Sequence, residues 1–411
     1  METRLANWIR ETSDGREADA ILRSCVHCGF CTATCPTYQI LGDELDGPRG
    51  RIYQIKQVLE GAEPTRSIQV HLDRCLSCRS CETTCPSDVH YGRLLEIGRR
   101  VVDQRVSRPV VERLARGMLR YTLSRRRVFA ALLAAGRAFR RLLPPALRAK
   151  VLVRRLAGPW PLRTHARRVI FINSCTQASL LPAVDAAAAQ VLDALGVEVI
   201  VLPASGCCGA VAGHTGDHSG ALAAARRNIL AWWPEIETGA EAIVATASAC
   251  GLQVKDYARA LADDPTFAIK ARRVSELAVD LSEWLAPQVE ALSSGLSAQG
   301  PERVVFHAPC TLQHGQRLGA IPEQILRGFG AQLIPVRDAH LCCGSAGTYS
   351  LLQAGLATEL RDRKLEALLE GQPVVILSAN VGCLAHLESG TKVPVRHWIE
   401  WIAARISRPA V

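Results

Sequence analysis

Aromatic side chains are scarce in this chain: Phe, Trp and Tyr together make up 5% of 411 residues. So few rings leave little on which single-stranded nucleic acid could stack. Long apolar runs are missing too. The longest, Val128 to Gly136, is about half of the roughly 20 residues that a membrane-spanning helix requires. The opening METRLANWIRETSDGREAD mixes charged and polar residues without the apolar stretch of about seven that a secretory signal or anchor needs. The expected location is therefore cytoplasmic, with peripheral attachment to the inner face of the cell membrane as the furthest departure. No dinucleotide fingerprint, catalytic triad or zinc-protease signature is present either. What is present is globular: 48% of residues are apolar and 21% charged, enough to bury more than one core.

The net charge of +10 is unevenly distributed. From Arg93 to Arg168 there are twenty Arg and one Lys against Glu96, Asp103 and Glu112, so this segment carries +18 and the rest −8. Within it Val110, Leu114, Met118, Tyr121, Val128, Leu132 and Leu133 recur at near-helical spacing until Pro144 and Pro145. The pattern predicts basic amphipathic helices in a connector. A solvated linker, a surface for an acidic partner subunit and a surface for anionic lipid all fit this composition. Nucleic acid fits least, because nothing nearby resembles a zinc-finger helix, an aromatic-bearing sheet or a helix-turn-helix.

Cysteine is the one residue in excess, with sixteen. Cys25, Cys28, Cys31 and Cys35 precede Pro36, and Cys75, Cys78, Cys81 and Cys85 precede Pro86. Both sets read C-x2-C-x2-C-x3-C-P, in which one tight loop presents three thiolates to a 4Fe-4S cubane and the fourth departs. Structural zinc sites draw two cysteines from each of two knuckles and do not ask for this spacing. In two-cluster ferredoxins the fourth cysteine crosses to the other cluster. Cluster one would then use Cys25, Cys28, Cys31 and Cys85, and cluster two Cys75, Cys78, Cys81 and Cys35. The flanks SCVHCGFCTATCP and RCLSCRSCETTCP are small and polar, so ligation is expected to supply much of this domain's folding free energy. His27 is assigned no role. The intervening GDELDGPRGRIYQIKQVLEG reads as a loop entering a helix.

The other eight cysteines form an internal repeat. Cys175, Cys207, Cys208 and Cys250 recur 135, 135, 135 and 133 positions later as Cys310, Cys342, Cys343 and Cys383. In each repeat an apolar β-branched run ends in the first cysteine, a second strand leads to the pair, and a third strand precedes the last. Three strands alternating with helices predict a parallel sheet, with all four thiols gathered at the strands' carboxyl ends. Gly209 and Gly344 are expected to let backbone approach whatever the sulfurs hold. A redox-active dithiol or simply buried thiols are the alternatives.

With these motifs in hand, the chain resembles the iron-sulfur subunits of bacterial glycolate oxidases. The likeness runs through ADAILRSCVHCGFCTATCPTYQILGDELDGPRGRIYQIKQVLEG, HLDRCLSCRSCETTCPS, GCCGAV, CTLQH, HLCCGSAGTYS and VRHWIE. It implies an α/β protein with a small α-rich ferredoxin-type domain over residues 1–100 and a basic helical connector over 101–166. Two parallel-sheet cysteine-rich (CCG) domains would follow over 167–300 and 301–411. It implies an electron-transfer subunit of an oxidoreductase complex that oxidises glycolate, with D-lactate as a related substrate, and is not active alone. Two 4Fe-4S clusters would sit here and FAD on partner subunits, with a quinone or other membrane acceptor beyond. A third cluster would draw on the CCG cysteines. Heterodisulfide-reductase-like thiol chemistry is the alternative, but that family's pattern ends in C-x2-C, and Ala247 and Asn380 stand where the earlier cysteine would be. The missing sulfur counts against a noncubane cluster and disulfide cleavage, while four thiolates per repeat still suffice for a cluster.

Overall fold

The structure, a computed structural model, describes residues 1–143, 148, 151–153, 155–293 and 301–406. The chain forms two compact units. One comprises Met1–Gly117 with His340–Lys364, and the other Met118–Ala339 with Leu365–Val411.

The first unit is helical. Thr12 begins the helix Ser13–Ser24 by accepting from the Gly15 N–H at 3.0 Å, and Thr65 caps Arg66–Asp73 in the same way through Ile68 at 3.3 Å. Pro48 occupies the first position of Pro48–Leu59, where its missing N–H costs nothing. Leu22, Ile55, Val58 and Leu59 from these helices bury against Leu94, Leu95 and Ile97 of Tyr91–Arg105 in one core. Cys25, Cys75 and Cys81 of the motif loops join this core, so apolar packing of the helices adds to whatever ligation contributes.

The second unit contains two parallel sheets of the same topology. Strands β1 (Arg167–Phe171), β2 (Val197–Ile200), β3 (Ala242–Ala245) and β4 (Ala278–Asp280) lie in the order β2-β1-β3-β4. Strands β5 (Glu302–His307), β6 (Ala331–Leu333), β7 (Val375–Ser378) and β8 (Val395–His397) lie in the order β6-β5-β7-β8. Every residue of β3 and β7 is buried, as in sheets covered on both faces. The sequence pattern predicts three strands per repeat, and each has a fourth. At three residues, β4 and β8 are too short for a periodicity to register. Their signal lies just beyond, in the capping boxes Asp280–Glu283 and His397–Glu400 that start the following helices.

The two repeats meet at the ends of β3 and β7. The Ser248 N–H donates to the Ala379 carbonyl at 3.2 Å, and the Ser248 and Thr311 hydroxyls lie 2.7 Å apart. His397 adds a third link. Its Nε2 donates to the Thr246 carbonyl at 2.9 Å, while its Nδ1 accepts from Ile399 N–H at 3.2 Å, and that acceptance needs the neutral ring. Burial holds the imidazole pKa down at about 3, against the opposing pull of the Thr246 and Ala379 carbonyls. Below about pH 6.5 the unfolded chain binds this proton and the fold does not, so stability falls as pH falls toward 3. His397→Asn keeps a capping oxygen and removes the titration. Relative to wild type, the variant should gain about 1.4 kcal/mol per pH unit on acidification from about 6. Denaturant titrations of both proteins at pH 5 and 7 check this, and parallel profiles would contradict it. Asp280, the corresponding cap of the first repeat, is pushed up by burial to about 6 and has the opposite sign, losing stability as pH rises from about 4 to 6.

The connector forms the expected helices at Val110–Leu123 and Arg126–Ala138. The predicted break at Pro144 and Pro145 lies outside the described residues.

Candidate metal centres

The two ferredoxin-type loops share one conformation at an offset of fifty positions. After Cys25, His27 (φ 60°) and Gly29 (φ 88°) adopt left-handed backbone, and after Cys75, Ser77 (φ 54°) and Arg79 (φ 61°) do the same. Left-handed residues at alternate positions curl each loop so that three sulfurs face inward. Thr34 and Thr84, each just before its motif's last cysteine, share a hydrogen bond of 3.0 Å that ties the two exits together.

Beside this tie, each motif's last cysteine lies near the thiols of the other motif. One cavity is lined by Cys25, Cys28, Cys31 and Cys85, with Cys81 also on its wall. Burial pushes the Cys31 thiol up to about 11, with further contributions from Cys25, Cys85 and Cys28 around it. Cys81 is likewise raised by burial and then by Cys78, Cys75 and Cys35, which identifies the second group of four. Thiols crowded and held protonated in this way fit a group whose metal ions would bind them as thiolates. His27 is exposed, its ring 6.1 Å from that of Tyr53.

The two groups differ in surroundings. Cys28 is exposed between the exposed side chains of Val26 and Phe30, whereas Cys35, Cys75 and Cys81 are buried. Around the second group lies a polar network for which the sequence reading assigned no residue. Arg51, 1% exposed, donates to the His71 carbonyl at 2.8 Å, to Thr37 at 3.2 Å and to Asp46 at 3.2 Å. Arg74 reaches the other Asp46 oxygen at 2.8 Å, and Arg99 donates to the Cys75 carbonyl at 2.7 Å. Burial works to raise the Cys75 thiol, but Arg51 and Arg99 outweigh it, and Tyr91 O–H and Ser77 N–H donate to Sγ at 3.5 and 3.4 Å. The Cys75 pKa ends below its ordinary value. Tyr349, buried on the segment His340–Lys364, lies in the field of Cys75, Arg51 and Cys342.

In the first CCG repeat the four sulfurs are brought together. Cys175, Cys207, Cys208 and Cys250 lie near enough to act on one another's protonation. The neighbouring thiols, with the Gly209 and Val211 N–H groups, lower Cys207 while Cys175 and Cys208 are pushed up. The strand-end loop is fixed from behind. Asn228 donates to the Cys207 carbonyl at 3.1 Å, and Tyr257 donates to the Cys208 carbonyl at 2.8 Å. A Cβ on Gly209 would meet the Ala221 carbonyl at 3.0 Å, and one on Gly344 the Ala357 carbonyl at 2.5 Å. Both glycines, at φ 97° and 83°, serve a left-handed turn packed on the next helix, and from that turn the Gly344 N–H donates to Cys342 Sγ at 3.4 Å.

The second repeat departs from the first. Cys310, before a π-helical turn at Thr311–Gly315, and Cys383 belong to the larger unit, whereas Cys342 and Cys343 lie on the segment that packs in the ferredoxin unit. His307 replaces Ile172 of the first repeat and offers a ring nitrogen within 4.8 Å of the Cys383 sulfur. A histidine three residues before the repeat's first cysteine was the available signal.

Residues 21–89 match the 4Fe-4S dicluster domain family, and residues 169–255 and 304–388 each match the cysteine-rich domain family CCG. The chain is 53% identical to the glycolate oxidase iron-sulfur subunit of Escherichia coli (strain K12), over 99% of this chain and 100% of that protein. It is 29% identical to the probable glycolate oxidase iron-sulfur subunit of Bacillus subtilis (strain 168), over 94% and 92%. Lactate utilization protein A of an Exiguobacterium species is 26% identical over 56% of this chain and 95% of its own length.

Proposed function

Because the chain belongs to the family of glycolate oxidase iron-sulfur subunits, we propose that it passes electrons, one at a time, from flavin on partner subunits toward a membrane acceptor such as a quinone. Glycolate is the substrate class of the complex, with D-lactate as a related one. The observation that carries the reading is the convergence of eight thiols into two crossed groups of four. In this reading Cys25, Cys28, Cys31 and Cys85 hold one 4Fe-4S cluster and Cys75, Cys78, Cys81 and Cys35 the other. When bound, such clusters supply one-electron chemistry to match a two-electron flavin. The protein's own part is positional and electrostatic. Exposed Cys28 opens the first group toward a donor, and buried Arg51 with half-buried Arg99 gives the second positive surroundings. Tyr349 feels the charge of both Cys75 and Cys342, which supports an onward path toward the cysteine pair of the second CCG repeat. The CCG sets Cys175, Cys207, Cys208, Cys250 and Cys310, Cys342, Cys343, Cys383 are proposed as sites for a further cluster.

Iron and sulfide analysis with EPR of the anaerobically reduced full chain tests this. We expect a brown protein with at least about eight irons and no glycolate oxidation without its partners. A colourless zinc protein, or turnover by the flavin-free chain, would overturn it.

A second reading, thiol–disulfide chemistry at Cys207–Cys208, is favoured by the low Cys207 pKa. If Cys207→Ser abolishes a disulfide reductase activity while glycolate oxidation by the complex survives, that reading replaces the first for the CCG domains.

A further inference from the structure

The helix Val110–Leu123 holds its apolar residues on the wrong side for a core. Val110, Val111, Leu114, Met118 and Tyr121 are between 54% and 78% exposed. At about 100° per residue they fall within an arc of roughly 100°, a single stripe along three turns. The opposite face is already occupied. Arg116 is buried and pairs with Asp73 at 3.0 Å, and Glu112 is tied to Arg66. The stripe therefore faces outward because the polar face is bound to the protein, and it is flanked by exposed Arg113 and the half-buried Arg120.

The same character continues beyond this helix. On and after Arg126–Ala138, Leu132, Phe139 and Leu142 are exposed at 53%, 61% and 80%, among exposed Arg127, Arg140 and Arg141. Arg125 lies over the Tyr121 ring at 4.0 Å, placing a cation at the edge of the stripe. From Arg113 to Val184 the chain has fifteen Arg and one Lys and not one Asp or Glu.

From this arrangement we infer that the helix Val110–Leu123 docks on an anionic lipid bilayer, lying in its headgroup plane, and that the segment after it supplies further basic and apolar side chains suited to the same surface. Three observations select lipid over a protein partner. The exposed side chains are mainly aliphatic and spread along the helices rather than gathered around a central aromatic anchor, as protein interfaces are. Basic charge prevails around them, the carboxylates of Glu112 and Asp217 being paired with Arg66 and Arg120, which suits a surface of uniform negative potential, where each unpaired basic residue contributes about 1 kcal/mol. No helix among the described residues is long and apolar enough to cross a membrane, so attachment would be by lying on it. The inference goes beyond the electron-relay reading and does not need any particular metal to be bound.

Flotation of the purified full chain with vesicles tests it. The wild type should float with phosphatidylcholine vesicles containing phosphatidylglycerol, remain behind with phosphatidylcholine alone, and release as salt is raised. L114E/M118E should weaken flotation by roughly a hundredfold, because two apolar contacts are replaced by anions facing an anionic surface. R113Q/R125Q/R127Q should weaken binding and flatten its salt dependence. These side chains are exposed, so unchanged visible absorbance and circular dichroism will show that the fold persists in both variants. Absence of wild-type flotation, equal binding to neutral vesicles, or full binding by L114E/M118E would each overturn the proposal. If vesicles do not bind and L114E/M118E instead fails to join its partner subunits, the surface belongs to a protein.

Discussion

Cys85→Ser should remove the iron held by the first motif and leave that held by the second. Cys85 lies in sequence with Cys75, Cys78 and Cys81, yet it is the second-motif cysteine that joins Cys25 and Cys28 around Cys31. Iron per chain should fall by about half, and the EPR signal that survives should be the one that Cys28→Ser spares and Cys78→Ser abolishes. Cys35→Ser should give the converse, since Cys35 lies with the buried Cys81 group. The paired variants distinguish crossed ligation from two self-contained loops. If Cys85→Ser abolishes the same signal as Cys78→Ser, the fourth cysteines do not cross. The helical core of Leu22, Ile55, Leu59 and Leu94 should keep all these variants folded enough to measure.

Arg51→Met should cost about 3 kcal/mol of stability and lower the potential of the second cluster. The stability term follows from what is left behind. Asp46 is fully buried, and without Arg51 it keeps only Arg74 at 2.8 Å and His71 at 3.1 Å, while Thr37 and the His71 carbonyl each lose a donor. Breaking a buried pair by removing one partner costs about 3–5 kcal/mol, and the remaining Arg74 contact places this case at the lower end. The redox effect has a definite sign. A buried cation beside Cys75 favours the state with the extra electron, so its removal should move the midpoint downward. Arg51→Lys keeps the charge but loses the forked geometry, and should restore most of the potential with less of the stability. Denaturant melts and EPR-monitored redox titrations read the two effects separately. An unshifted midpoint in Arg51→Met would remove Arg51 from any tuning role.

The repeats, the strands and the cysteine sets were legible because each leaves a one-dimensional trace. RVIFINSC and RVVFHAPC announce β1 and β5 by apolar β-branched runs, and the 135-residue offset exposes the duplication. The short β4 and β8 left no such trace, although the capping residues that follow them did. The core of the ferredoxin unit was less legible for a related reason. Ile55, Leu59, Leu94 and Leu95 lie outside the polar loops around the cysteines and come together only when their helices pack. The glycines after the cysteine pairs were correctly marked as special, but their reason, a turn packed on a following helix, depends on Ala221 and Ala357.

Which chemistry this chain is equipped for was settled in one dimension, since thiol spacing dictates how many sulfurs a single loop can turn toward one centre. Its family could be read there as well. Tertiary structure alone decided the environment of those sulfurs: a buried arginine beside Cys75, a tyrosine from more than two hundred residues downstream near the same thiol, and an apolar stripe turned to solvent because Arg116 is bound on the other side. Spacing is a property of neighbouring residues, whereas burial and electrostatic field arise only when distant segments meet.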